Sequence, residues 1–134
     1  MKEFPLKIVT PDGVAFDAMA QSLVVRTIDG EVGILAGHQD FSTALGMGRA
    51  KVVCADGTRY AACIGGMMLV CRGAVTLVPT TFEWAQDIDA SRVKRSQQRA
   101  EDILSQNAQD QLQIQLAQAR LKRALIRQNV AGYK

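Results

Sequence analysis

Over its first 80 residues the chain sets short apolar runs between glycine turns. Residues 4–10 alternate, with Leu6, Ile8 and Thr10 on one face and Lys7 and Val9 on the other. That period of two predicts a half-buried strand. Pro11-Asp12-Gly13 signals a turn, and residues 14–19 a second strand. Residues 21–28 carry Leu23-Val24-Val25, apolar on both faces as in a sandwich core, before Asp29-Gly30 turns the chain. Residues 32–35 predict a further strand closed by Ala36-Gly37-His38, and residues 43–45 lead into Gly46-Met47-Gly48. Residues 49–55 and 58–64 flank Asp56-Gly57, the strongest hairpin signal in the chain. Gly65-Gly66 is expected to bend the chain, and residues 67–71 and 74–79 flank Arg72-Gly73 as a second hairpin. Eight or nine short strands at this spacing predict an antiparallel β-sandwich or a flattened barrel.

The period changes at Asp87-Ile88-Asp89. Beyond it there is no proline, and no glycine until Gly132. Asp87 or Asp89 suits the N-cap of a helix, although Arg92 stands where a capping box has Glu. Val93, Ala100 and Leu104, with Ser96 and Gln97 between, form a narrow stripe on a first helix. A turn is expected over residues 105–109, and Asp110 is placed to cap a second helix. There Ile114, Ala117, Leu121, Ala124 and Gln128 recur at spacings of three and four, a seam pattern. The predicted fold is mixed β then α: an antiparallel β-sandwich over residues 1–87, then an antiparallel two-helix hairpin over residues 88–134. The seam uses Ala, Gln and Ser where a permanent core uses Leu and Ile. Such a pair is marginal alone, which suggests that the helices take more than one arrangement.

Charge follows the same boundary. Residues 1–88 hold seven Lys/Arg against nine Asp/Glu, and residues 89–134 hold nine against four. Arg92, Arg95 and Arg99 share one face of the first predicted helix, and Arg120, Arg123 and Arg127 one face of the second. Both trios lie beside the apolar seam, so their convergence calls for a counter-anion. A nucleic-acid module is the alternative use of such helices, but residues 89–132 carry no aromatic ring for stacking. An enzyme is disfavoured too. There is no phosphate-binding loop, GxGxxG or GxSxG, and His38 has no nucleophile beside it, so it reads as a turn or packing residue.

Three cysteines, an odd number, and an N-terminus without the apolar core of a signal peptide argue against a disulfide framework and for a cytoplasmic location. If Asp56-Gly57 forms the hairpin loop, Cys54 faces Arg59 and Cys63 faces Ala50, so the two cysteines do not pair. The single histidine and the absence of CxxC leave a zinc site poorly served.

The chain resembles the epsilon-subunit family of bacterial F-type ATP synthases. Gly30-Glu31-Val32-Gly33-Ile34-Leu35-Ala36-Gly37-His38 is similar to that family's GE(L/I)GILPGH signature. Val9-Thr10-Pro11, the pair Gly65-Gly66, and Asp87-Ile88-Asp89 match its other landmarks in order, over essentially the whole chain. The resemblance implies a non-catalytic subunit of the central stalk that couples proton or sodium translocation to ATP synthesis. Its implied partners are the gamma subunit, the c-ring and the alpha/beta catalytic subunits, with no nucleic acid. Its implied place is the cytoplasmic face of the bacterial membrane, which it meets only through the complex. The helices are implied to inhibit ATP hydrolysis when extended and to permit it when folded as a hairpin.

No cofactor is required on this reading, but a regulatory ATP is implied. Ile88-Asp89-Ala90-Ser91-Arg92-Val93 is similar to the family's (I/L)DxxRA motif, with Val93 in place of alanine. Arg99, Arg123 and Arg127 stand where its other phosphate-facing arginines fall. Ile88 and Asp89 are implied to lie by the base, and Arg92, Arg99, Arg123 and Arg127 by the phosphates. Two further departures are Ala36, for the family's proline, and the bulky Thr81-Phe82-Glu83-Trp84. Trp84 is expected to pack between sheet and hairpin.

Overall fold

A computed structural model describes residues 2–105 and 111–133. Two compact units make up the chain, Met1–Trp84 and Ala85–Lys134. The first contains eight strands: β1 (Phe4–Thr10), β2 (Gly13–Ala20), β3 (Ser22–Thr27), β4 (Gly30–Leu35), β5 (Phe41–Ala44), β6 (Met47–Cys54), β7 (Gly57–Cys71) and β8 (Ala74–Trp84). They run in the order β2-β1-β8-β7-β6-β3-β4, with β5 paired to β7. This ladder folds on itself as a sandwich whose inner face carries Leu6, Ile8, Leu23, Val25, Val52, Met68 and Leu77, all buried. Alternation along β1 places Phe4, Leu6 and Ile8 inside, as the sequence pattern requires. Every pairing is antiparallel except β1 with β8, which is parallel. The free edge of β1 is taken by a strand that returns from far along the chain.

Turn chemistry sets the register. Thr10 pairs with Gly13 and Thr27 with Gly30, so the two residues between them form each loop. The Asp12 N–H donates to Thr10 Oγ1 at 3.1 Å, and that hydroxyl donates to the Gly13 carbonyl at 3.0 Å. Thr27, Asp29 and Gly30 repeat the arrangement at 3.1 and 2.8 Å. In both, the glycine follows the loop and opens the next strand.

The same rule corrects the expected hairpin at Asp56-Gly57. The loop is Ala55-Asp56, and Gly57 is already in β7 with φ +144°. Cys54 therefore faces Gly57 rather than Arg59, and Cys63 faces Gly48 rather than Ala50. The two cysteines are still not partners. Glycine after the loop suits a type I turn, whereas the sequence reading assumed that both residues sat in its centre. Arg72-Gly73 does form its loop as expected, with φ of 52° and 79°.

Gly65-Gly66 does not split the strand. The strand β7 runs through both residues, and here it changes neighbour, from β6 before them to β5 after them. A Cβ on Gly66 would lie 2.2 Å from the Val78 carbonyl oxygen, so only glycine lets β8 approach this closely.

The second unit opens with a 3-10 turn over Ala85–Asp87, followed by α1 (Ala90–Ser105) and α2 (Gln111–Ala131), which pack together as a hairpin-like pair. Val93 and Ala100 are buried on α1, and Ala117, Ala124 and Val130 on α2. Ile114 and Leu121 are half-buried, but Gln128 is exposed, so the expected seam ends after Ala124. Near the end of α2, Arg127 is half-buried and Val130 is buried instead. The expected turn after Ser105 and the Asp110 cap lie outside the described residues. No helix among the described residues is long and apolar enough to cross a membrane.

Candidate functional site

The sequence singled out Ile88, Asp89, Arg92, Arg99, Arg123 and Arg127. All six lie in the helical unit. Ile88 is 2% exposed, and its N–H donates to the Ala85 carbonyl at 3.2 Å. Asp89 is the N-cap of α1: its Oδ1 accepts from the Arg92 N–H at 3.1 Å and its carbonyl from the Val93 N–H at 3.0 Å. The carboxylate satisfies one of the donors that a helix start leaves open, and the carbonyl accepts the first bond of the helix itself. Of the six positions, Asp89 and Arg92 are thus joined directly, through Arg92's main chain.

The guanidinium groups sit differently. Arg92 and Arg99 are exposed on α1, whereas Arg123 and Arg127 are half-buried on α2. Because α1 and α2 pack together, the four cations belong to one helical pair. Acids are few nearby on α1. Glu101 and Asp102 accept hydrogen bonds from Gln97 and Gln98 at 3.0 and 2.9 Å. Val93 is 6% exposed and occupies the buried face beside Arg92.

Trp84 is held within the β unit. Its ring stacks edge-on against Phe82 at 4.9 Å and Phe16 at 6.1 Å, and Arg59 lies over it at 3.7 Å. Its Nε1–H donates to the Ala15 carbonyl at 3.3 Å. These contacts belong to the β unit and make Trp84 part of its core. Phe82 and Trp84 lie two residues apart on one face of β8, and Phe16 comes from β2. His38 is half-buried in a turn, with Nδ1 2.8 Å from the Gln39 carbonyl and its ring 5.9 Å from that of Phe41. Among the described residues no group of three or more His, Cys, Asp and Glu is placed to hold a metal ion.

One feature escaped the sequence reading. Leu112, Leu116 and Ala119 step by four and three residues along α2. At about 100° per residue this second stripe lies roughly opposite the first. Leu112 is 61% and Leu116 49% exposed. The spacing was visible in the sequence, but the first stripe, once found, accounted for the helix and hid the other.

Two family models match in succession. Residues 3–85 match the ATP synthase delta/epsilon chain β-sandwich domain, and residues 86–132 match the long α-helix domain of the same chain. The chain belongs to the ATP synthase delta/epsilon chain family. It is 37% identical to the ATP synthase epsilon chain of Bacillus pumilus over 98% of its own length and 99% of that relative. It is 36% identical to that of Caldicellulosiruptor saccharolyticus over 79% of its length and 77% of that relative. The fold matches a chain of the Euglena gracilis mitochondrial ATP synthase OSCP/F1/c-ring structure, with TM-score 0.83, 19% identity, and coverage of 98% of this chain and 82% of that one. A chain from the Tetrahymena thermophila central stalk and c-ring gives TM-score 0.61 at 15% identity, covering 97% of each. Membership makes the chain an epsilon-type subunit of an ATP-synthesising complex, a component of its central stalk, associated with the membrane through that complex.

Proposed function

We propose that this subunit couples rotation to ATP synthesis without performing chemistry itself. The β unit binds the gamma subunit and the c-ring, and the helices meet the alpha/beta catalytic subunits. It works on the cytoplasmic face of a bacterial membrane. The observation that carries this reading is the end-to-end similarity to an epsilon chain, with both family domains in order. The test adds the purified chain to ATP synthase complexes stripped of their epsilon chain. Restored ATP-driven ion pumping is the expected result. Failure to bind gamma and to restore pumping rejects the reading.

The second part of the proposal is regulation. In the compact hairpin the helices leave hydrolysis free, and in an extended arrangement they block it. The second stripe on α2 supports this, because Leu116 and its neighbours give the helix an apolar face to bury elsewhere. ATP favours the compact form by holding the cations of both helices together, since a ligand shifts an equilibrium by its differential affinity. The residues fit the triphosphate. Arg92, Arg99, Arg123 and Arg127 supply cations from two packed helices. ATP neutralises their mutual repulsion, and the arginines orient its phosphates by charge-assisted hydrogen bonds. Limited proteolysis of residues 89–134 tests the switch. Protection that grows with ATP is expected, and equal resistance with and without it rejects ATP sensing.

A further inference from the structure

Two loops of the β unit are tied together by a side chain. The ladder of β5 on β7 stops at Phe41 and Val70. Just beyond it, Asp40 Oδ1 accepts from the Arg72 N–H at 2.8 Å, between residues 32 apart in the chain. The carboxylate thus continues the pairing after the main chain has ended it. It joins residues 36–40, which connect β4 to β5, to the loop between β7 and β8. A carboxylate acceptor makes this a charge-assisted bond, stronger than a neutral one.

Both loops need something to hold them. Arg72 sits at φ 52°, in the left-handed region that a bulky L-residue enters only at a cost. Such a residue persists where its surroundings hold it. Residues 36–40 open with a tight turn, in which the His38 N–H donates to the Leu35 carbonyl at 3.2 Å and Gly37 has φ +82°. That is the geometry of a type II turn, which favours glycine in its third place and proline in its second. Ala36 holds the second place, where the family has proline. The turn therefore keeps a freedom that proline would remove. His38 adds contacts to Gln39 and Phe41, but these reach no further than three residues along the chain.

We propose that Asp40 is the positioning residue of this loop: its bond to Arg72 supplies the fixation that a proline at position 36 would give, and so sets the loop for assembly with the rest of the complex. This rests on the reading of the β unit as the part that binds the gamma subunit and the c-ring. Leu35 is 58% and Phe41 36% exposed, at the two ends of the loop, so its position decides where two apolar side chains stand. A loop left free has to be ordered when a partner arrives, and that ordering weakens binding. The bond to Arg72 orders it in advance. Because Asp40 acts on the main chain of Arg72, what matters is its acceptor oxygen rather than its charge.

The test compares the full-length wild type with Asp40→Asn, Asp40→Ala, and a double variant that combines Asp40→Ala with Ala36→Pro. Two quantities are read: hydrogen exchange of the Arg72 amide by NMR, and affinity for ATP synthase complexes stripped of their epsilon chain. Asp40→Ala is expected to speed the exchange and to weaken binding, each by about five- to tenfold, as one charge-assisted bond is lost. Asp40→Asn, which keeps the acceptor oxygen, is expected to stay within about twofold of the wild type in binding. In the double variant Arg72 exchange is expected to remain fast while binding returns to within about twofold of the wild type. That separation marks a positioning role, because proline restores the turn but not the bond. Unchanged binding in Asp40→Ala overturns the proposal. Binding that stays weak in a folded double variant overturns it too, as does an Asp40→Asn that binds as poorly as Asp40→Ala, which makes the carboxylate itself a partner contact. A wild type that does not bind the stripped complexes rejects the assembly reading, and the role of Asp40 in assembly falls with it.

Discussion

At the residue scale, backbone geometry and desolvation decide what each position tolerates. Gly66 adopts φ +102° and lies against the backbone of β8, where a Cβ would overlap Val78 O and Pro79 Cα. Gly66→Ala is expected to lower unfolding stability by about 2–4 kcal/mol, measured by denaturant titration. A loss below about 0.5 kcal/mol, the ordinary surface value, contradicts the close approach. The cysteines differ by burial. Cys63 is buried, and desolvation pushes its thiol up to about 12. Cys71 is exposed. The thiolate is the reactive form. Because burial disfavours that charged form, Cys63 stays protonated well above neutral pH. At pH 8 a thiol reagent is expected to modify Cys71 in the native chain and Cys63 only after unfolding. Rapid native labelling of Cys63 refutes this. The sequence already marked Gly66 as special but attributed a bend to it. Only the register shows that it marks the exchange of β6 for β5 beside β7.

At the element scale, α2 carries a buried stripe and an exposed apolar one in a single heptad-spaced sequence. Its first stripe includes the buried Ala117 and Ala124, small residues that suit close but weakly held packing. Its second stripe keeps Leu116 half exposed. Leu116→Gln is therefore expected to change the stability of the isolated chain by no more than about 0.5 kcal/mol. In the assembled complex the same change is expected to relieve inhibition of ATP hydrolysis, read as the ratio of activated to basal rate. A destabilised isolated chain, or unchanged inhibition, counts against a second docking face. The first stripe was legible as far as Ala124. Its continuation to Gln128 was not, because spacing alone does not say which positions near a helix end find a packing partner.

At the scale of the whole molecule, a β unit and a helical unit meet where composition and charge both change. The boundary between the two units falls between Trp84 and Ala85. Because the ring of Trp84 is held by Phe16, Phe82 and Arg59, it is a core residue of the first unit. A chain truncated after residue 87 is expected to fold and to keep the blue-shifted emission of a buried tryptophan. A red-shifted emission in that truncation shows instead that Trp84 depends on the helices. The sequence expectation left out these partners for a simple reason. Sequence position near a boundary does not say on which side a side chain packs, and the pairing of β7 with β8 placed it inside.

The sequence alone determined the change from period two to period 3.6, the turns at Asp12-Gly13 and Asp29-Gly30, a cap at Asp87 or Asp89, and the cationic helices. These are local: each depends on side chains within one turn or one strand of each other. Tertiary structure decided the parallel contact of β1 with β8, the register of β6 on β7, and the burial of Ile88. Those depend on segments far apart in the chain, and alternation is blind to which edge a strand finds. Asp87-Ile88-Asp89, visible from the outset as a boundary, is in the fold an entry turn and a helix cap whose polar groups largely serve the helix itself.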